Sequence, residues 1–446
     1  MIVDTANREY IPIPREQLEP LWQKGLETMQ SLQTPLGLIA SDKTGRFHAI
    51  FGRDSLWSVL LALEAGSLLR GKAPDEQQAH ALTETYVAWL RPLAETVLRG
   101  LAHLQGKRVN DVNEEQPGRI IHEYWEVVPE RLITSRFPLV EGRYYGSLDA
   151  TFLYVITVAK VFAFFEERAF LEELWPSIEA ALQWMLEWSD LDQDGLVEYS
   201  RRNPDGLGLL NQAWKDSTEA VWSKGLPVPA PPIAWIELQG YAWLAYLSYL
   251  QLAKQLGSLA PSMLQEIQHR VKRLSQGQRC FWLEDEQFPA IALDGHKRSI
   301  RAVSSNPGHL LWCGSVDQDE ANKIHQRLMQ PDMFTPWGLR TVSDRASFYN
   351  PLHYHSGSVW PFDNAVTVIG LCRYGFGTDA QRIARAVLQA LTAFGTPVEV
   401  YSVHPSRWIR SPHIMQEWVL ADYFYASEMQ AWTAAAMLYL TRLLMR

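Results

Sequence analysis

The sequence predicts an all-α fold in which six helical hairpins close into an (α/α)6 barrel with long rim loops. Three observations carry this. Apolar residues recur with the period of a helix over twelve segments, and few segments alternate as a strand does. These segments alternate between amphipathic and apolar all round. Polar and aromatic clusters gather at the start of every second one.

The predicted helices run over residues 17–34, 54–71, 77–106, 148–166, 169–189, 236–257, 261–276, 306–315, 317–329, 357–374, 379–394 and 427–445. Segment 379–394 places Ile383, Val387, Leu388 and Leu391 on one face and Asp379, Gln381 and Arg382 elsewhere, as an outer helix does. Segment 148–166, LDATFLYVITVAKVFAFFE, is apolar nearly all round, as a helix buried on every side would be. Segment 357–374 is similar, with Pro361 tolerated in its first turns. Outer and inner helices in alternation suggest a closed ring, with an open helical solenoid as the competing arrangement. No composition shift or Ser/Gly-rich linker divides the chain. Residues 1–446 therefore read as a single domain, in which residues 1–50 supply a helix and lead-in belonging to the barrel. The prolines from Pro227 to Pro232 read as a short rigid loop.

Composition narrows the function. Lys plus Arg is 41 against 50 Asp plus Glu, a formal charge of −9, and there is no basic run. That argues against nucleic acid as a partner. No apolar run reaches the roughly 18–20 residues that span a bilayer, and the N-terminus lacks a basic stretch followed by an apolar one. The expectation is a cytoplasmic protein that binds no membrane. Cys280, Cys313 and Cys372 are too few and too scattered for a disulfide framework or a Cys-rich zinc site. Trp, at 18, outnumbers Tyr at 17 and Phe at 16. Such an excess either fills a large core or furnishes a pocket that stacks the flat faces of sugar rings.

The clusters at the inner-helix starts are FGRDS (51–55), YYGSLDAT (144–151), IELQGY (236–241), SSNPGHLLW (304–312), YHSGSVWPFDNA (354–365) and SEMQAW (427–432). In a closed ring the inner helices run parallel, so all six starts surround one mouth. Helix starts present unpaired N–H groups and partial positive charge, which welcome carboxylates and hydroxyls. A polar, aromatic funnel of this kind suits a neutral, hydroxyl-rich ligand such as a carbohydrate. Two long loops, 190–217 and 395–418, feed the same mouth.

Nine strings, in order from about residue 50 to 433, resemble the amylo-α-1,6-glucosidase family, the glucosidase domain of glycogen debranching enzymes. They are FGRDS, PGRIIHEYWE, YYGSLDATF, DLDQDGLVEY, LLNQAWKDS, IELQGYAWLA, SSNPGHLLW, YHSGSVWPFDNA and QAW. The resemblance implies an (α/α)6 barrel and an inverting glycoside hydrolase that releases glucose from an α-glucan or a small α-glucoside. It implies no cofactor and no metal. It makes Asp216 of NQAWKDS the general acid, and the loop PVEVYSV makes Glu399 the general base. Glu417 and Glu428 compete for the base role on the same segment. Arg53, Asp54, His122, Glu123, Asp149, Glu237, His355, Trp360 and Asp363 would line the sugar site, with Trp214 and Trp222 as apolar walls beside Asp216. About fifty residues precede FGRDS, where family members carry a further domain, so hydrolysis of small α-glucosides or glucosylated solutes is the alternative activity. A non-catalytic carbohydrate-binding barrel is the alternative from another class.

Each residue also has a plainer role open to it. Asp216 suits the N-cap of a short helix, DSTEAV, and Arg53 with Asp54 suits a capping pair. Asp149 and Glu237 suit a structural network behind the site. Asp190, Asp192, Asp194 and Gly195 match the first half of a calcium loop, but Arg201 stands where the bidentate Glu belongs, so a tight turn is expected. HEYWE has Glu126 in place of a second zinc-binding His, and His353 with His355 lacks a third ligand at suggestive spacing.

Overall fold

In the computed structural model, which describes residues 13–43, 45–71, 77–222, 228–405 and 418–446, all twelve predicted segments are helical. They are α1 (Arg15–Ser31), α2 (Gly52–Arg70), α3 (Gln77–His103), α4 (Asp149–Phe165), α5 (Arg168–Trp188), α6 (Ile236–Leu256), α7 (Pro261–Gly277), α8 (Pro307–Cys313), α9 (Gln318–Leu328), α10 (Pro361–Arg373), α11 (Gly377–Phe394) and α12 (Ala431–Leu444). A one-turn helix, Glu130–Thr134, lies in the loop before α4. No helix among the described residues is long and apolar enough to cross a membrane.

The ring closes. Helix α2 packs on α4, α4 on α6, α6 on α8, α8 on α10, α10 on α12, and α12 back on α2. That last contact excludes the open solenoid. Outside, α3 packs on α2, α5 on α4, α7 on α6, α9 on α8, α11 on α10 and α1 on α12. The fold is therefore an all-α (α/α)6 barrel. Burial follows the sequence pattern. Every residue of α4 from Asp149 to Val161 is buried except Lys160, whereas α7 buries only Ile267 and Leu274. Truncating one buried Leu or Ile of the inner ring to Ala should cost about 2–5 kcal/mol, because the ring is packed on both sides.

Two helices, α10 and α12, start four residues later than the sequence expectation. Residues 357–360 are extended rather than helical because Val359 exchanges backbone hydrogen bonds with Tyr401, at 2.9 and 3.1 Å. Helix α10 then begins at Pro361, whose missing N–H costs nothing in the first turn. Helix α12 begins at Ala431, where Ala431 N–H bonds to Ala40 O at 2.9 Å. Helix α8 starts and stops inside its predicted span, ending at Gly314 in the left-handed conformation.

Outer helices α1, α5, α7 and α11 have no side-chain cap. Outer helix α9 carries a full capping box, Asp317 with Glu320. None of the six inner helices has a side-chain cap. Their N-cap residues are Phe51, Leu148, Trp235, Asn306, Trp360 and Gln430. Short rim strands lead into several of these starts. Ile50–Phe51, Glu123–Tyr124 and Arg143–Tyr144 form one three-stranded antiparallel sheet, which fixes Glu123 beside the start of α2. Gly52 permits that approach: a Cβ there would lie 2.2 Å from the carbonyl oxygen of Ile121. A hairpin of Tyr401–Pro405 with Trp418–Asp422 stands between Glu399 and α12.

Candidate active site

The starts of α2 and α4 and the loop before α6 meet at Arg53. Its Nε donates to Asp149 Oδ2 at 2.5 Å, one Nη to Asp216 Oδ2 at 2.9 Å, and the other Nη to the carbonyl of Ala213 at 2.9 Å. Asp149 is fully buried, and its Oδ1 also accepts from the Ala150 N–H at 2.8 Å. Its carboxylate thus aims Arg53. Asp216 keeps 22% of its side chain exposed. Burial raises its pKa from the ordinary aspartate value, against the pull of the Arg53 guanidinium.

A second carboxyl approaches from the loop before α12. Glu399 is buried, with Tyr354 Oη donating to Oε1 at 2.5 Å and the Ser427 N–H donating to Oε2 at 3.1 Å. Burial pushes its pKa up to about 7, and the charge of Asp216 adds to the rise. Beside Arg53, Asp54 accepts from Gln430 Nε2 at 2.9 Å. Burial lifts Asp54 well above its usual range, with Glu399 and Asp216 adding to the effect. A neutral Asp54 can both donate to and accept from a sugar hydroxyl. Glu123 accepts from Trp125 Nε1 at 2.6 Å and is pushed by burial to about 7. His122 is held neutral by burial and by the charges of Arg53 and Arg119.

A second polar network joins the starts of α6, α8 and α10 to Lys215. Glu237 Oε2 accepts from Asn306 Nδ2 at 2.8 Å, and Asn306 Oδ1 accepts from the Lys215 ammonium at 2.6 Å. Burial raises Glu237 to about 7 and lowers Lys215 to about 8. His309 bridges Asp363 Oδ1 at 2.7 Å and Tyr241 Oη at 2.5 Å. Glu237 and Asp363 are fully buried. An aromatic wall completes the site. His355 stacks on Trp360 with centroids 4.9 Å apart, and its Nδ1 accepts from the Ser217 N–H at 3.3 Å. Trp214 stacks on His309 at 6.0 Å and meets Trp360 edge-on at 5.8 Å.

Residues 130–411, more than half of the chain, match the family described as the mannosylglycerate hydrolase MGH1-like glycoside hydrolase domain. The chain belongs to this family. It is a glycoside hydrolase family, though not the amylo-α-1,6-glucosidase family that the sequence strings resemble. No curated protein matches the chain. Among solved structures, the GH63 mannosylglycerate hydrolase from Thermus thermophilus in complex with Tris is similar, at 16% identity and a TM-score of 0.66 over 94% of this chain and 99% of that one. The same enzyme in complex with glucose gives 17% identity and a TM-score of 0.64 over 94% and 99%. A rhamnosidase from Klebsiella oxytoca with rhamnose bound gives 14% identity and a TM-score of 0.56 over 95% of this chain and 63% of that one. At such identities the likeness is one of fold.

In this MGH1-like chain Asp149, Glu237 and Asp363 are fully buried, Arg53, Asp54, His122, Glu123, Trp214, His355, Trp360 and Glu399 are also buried, and Asp216 is partly exposed. Glu428 is exposed, and Glu417 lies outside the described residues. Trp222 is half-buried. The individual residues not foreseen are Tyr354, Ser427, Gln430, Lys215, Asn306 and His309. All six stand inside the quoted strings, so the signal was present without the assignment. The tight turn at Asp190–Gly195 forms, with the Gly195 N–H bonded to Asp190 Oδ2 at 3.1 Å. Asp190, Asp192 and Asp194 come close enough together to share an ion. Lys297 Nζ stands against this loop, 2.9 Å from Asp192, 2.7 Å from Asp194 and 2.6 Å from Glu198.

Proposed function

We propose that the protein hydrolyses a small α-glycosylated solute with inversion at the anomeric carbon, with Asp216 as general acid and Glu399 as general base. The observation that carries this reading is a pair of carboxyls raised by burial on two different rim loops, each held by its own partners. Asp216 is the more open of the two and protonates the glycosidic oxygen. The Arg53 guanidinium then stabilises the carboxylate that the transfer leaves behind. Glu399 carries one protein donor on each oxygen, which leaves a lone pair on each for an attacking water. Inversion requires the two carboxyls to stand about 6.5–9.5 Å apart so that this water fits between the base and the sugar.

Membership of the MGH1-like family and the likeness to mannosylglycerate hydrolase structures favour a glucosyl or mannosyl group on a small acceptor as substrate. The resemblance of nine strings to amylo-α-1,6-glucosidases makes the α-1,6 branch of a limit dextrin the competing substrate. We also propose that residues 1–446 form one catalytic domain, α1 belonging to it because it packs on α12.

The experiment is a sugar-release assay across glucosyl- and mannosylglycerate, small α-glucosides and limit dextrin. The expected result is release from a small glycoside, reduced by at least roughly a hundredfold in both Asp216→Asn and Glu399→Gln. Release from limit dextrin alone would favour debranching. Binding without release would favour the carbohydrate-binding alternative.

A further inference from the structure

The loop that carries Asp216 is fastened on two opposite sides. On one side Arg53 takes the Ala213 carbonyl at 2.9 Å and the Asp216 carboxylate at 2.9 Å. On the other side Lys215, the adjacent residue, sends its side chain into the barrel wall. Its ammonium meets Asn306 Oδ1 at 2.6 Å, the Thr341 carbonyl at 2.6 Å and Ser305 Oγ at 3.2 Å. An ammonium has three protons, so every donor is committed to the protein. Lys215 is fully buried. No proton of this side chain remains for a sugar, which removes Lys215 from the ligand-binding set.

Burying an ammonium is costly unless it is fully hydrogen-bonded. Here full hydrogen bonding is achieved with neutral acceptors from two separate elements, the start of α8 and the segment through Thr341. Loss of any of the three leaves a buried charge short of a partner. The loop therefore has one favourable position, and Asp216 is the next residue along it, pointing the other way toward Arg53.

We propose that Lys215 is the positioning residue of the general acid: it pins the backbone from which Asp216 reaches the leaving-group oxygen. This rests on the reading of Asp216 as the acid. Protonation matters only when the leaving group is a poor one. An alkoxide must be protonated as it departs, whereas fluoride departs without a proton. A defect confined to acid placement therefore appears with an alkyl glycoside and disappears with the glycosyl fluoride.

The test compares the parent, Lys215→Met and Asp216→Asn on an alkyl α-glycoside and the matching α-glycosyl fluoride. For Lys215→Met the expected result is a kcat lowered roughly tenfold to a hundredfold on the alkyl glycoside, a KM within about threefold of the parent, and fluoride hydrolysis within about threefold. Equal losses on both substrates in a folded Lys215→Met protein would overturn the proposal, since they would mark general damage to the pocket. Asp216→Asn is the control for the underlying reading. If it too loses fluoride hydrolysis, Asp216 is not simply an acid and that reading fails first. Should Lys215→Met not fold, Ser305→Ala removes one acceptor and leaves two. It should show the same split at a smaller size, and an equal loss on both substrates there would overturn the proposal.

Discussion

Arg53 and Asp216 lie 163 positions apart in sequence and are joined by a 2.9 Å hydrogen bond between guanidinium and carboxylate. The same guanidinium is fixed from behind by Asp149, so α4 determines where α2 presents its charge. A lysine at position 53 lacks the planar fork that holds Asp149, Asp216 and the Ala213 carbonyl in these directions at once. Arg53→Lys should lower turnover by about a hundredfold. Asp149→Asn should destabilise the protein by about 3–5 kcal/mol, because it leaves a buried guanidinium short of a partner. Steady-state kinetics and urea denaturation check the two halves separately.

The pKa of Glu399, raised to about 7, sets a pH dependence with a definite sign. A general base must be ionised, so kcat/KM should fall about tenfold per pH unit below roughly pH 7. Stability runs the other way. Between the ordinary glutamate value of 4.5 and about 7 the folded state binds more protons than the unfolded one, so stability falls as pH rises through that window. Glu399→Gln removes this contribution. The variant should be more stable than the parent at pH 8 by about 1–3 kcal/mol, with the difference vanishing near pH 4. Melting temperatures across pH 4–8 decide it.

The ring itself is legible in the sequence because it rests on repeated, one-dimensional signals: the apolar-all-round inner helices and the polar strings at their starts. What the sequence hides is which polar residue faces the ligand and which supports it. Asp149 and Asp54 both lie in the first turn of an inner helix, and both read as sugar ligands. Only the packing shows that Asp149 is bound to Arg53 on both oxygens, while Asp54 meets Gln430 from the opposite end of the chain. The sequence pattern extends α10 one turn too far because the pairing of Val359 with Tyr401 is a long-range contact that no local pattern announces.

Gly52 is the glycine on which the rim sheet depends. An added Cβ would sit 2.2 Å from a backbone oxygen, that of Ile121, which has no rotamer to move into. Gly52→Ala should shift either α2 or the strand Glu123–Tyr124, displacing Arg53 relative to Glu123. The expected outcome is a loss of several kcal/mol of stability together with most of the activity. A fully active, equally stable Gly52→Ala protein would contradict the close approach.

The Asp190–Glu198 loop tests whether a side chain takes the place of an ion. With Lys297 Nζ within 2.9 Å of Asp192, Asp194 and Glu198, the parent should keep its activity and melting temperature in excess EDTA. Lys297→Met leaves those carboxylates facing one another. Its melting temperature should fall, and added calcium should restore part of the loss in the variant while leaving the parent unchanged. A parent that loses activity with EDTA and regains it with calcium would show the loop to be a metal site.

The pairing of Asp216 with Glu399 is tested most directly by the configuration of the first product. The two residues stand on the loops ahead of α6 and α12, helices that lie opposite each other in the packing order of the inner ring, which favours the wide separation that admits a water. Attack by that water from the face opposite the leaving group inverts the anomeric carbon. Proton NMR of an α-glucoside digest in its first minutes, before mutarotation, should show the β-anomer of glucose rising first. An initial α-anomer would contradict the inverting mechanism and with it the assignment of these two carboxyls.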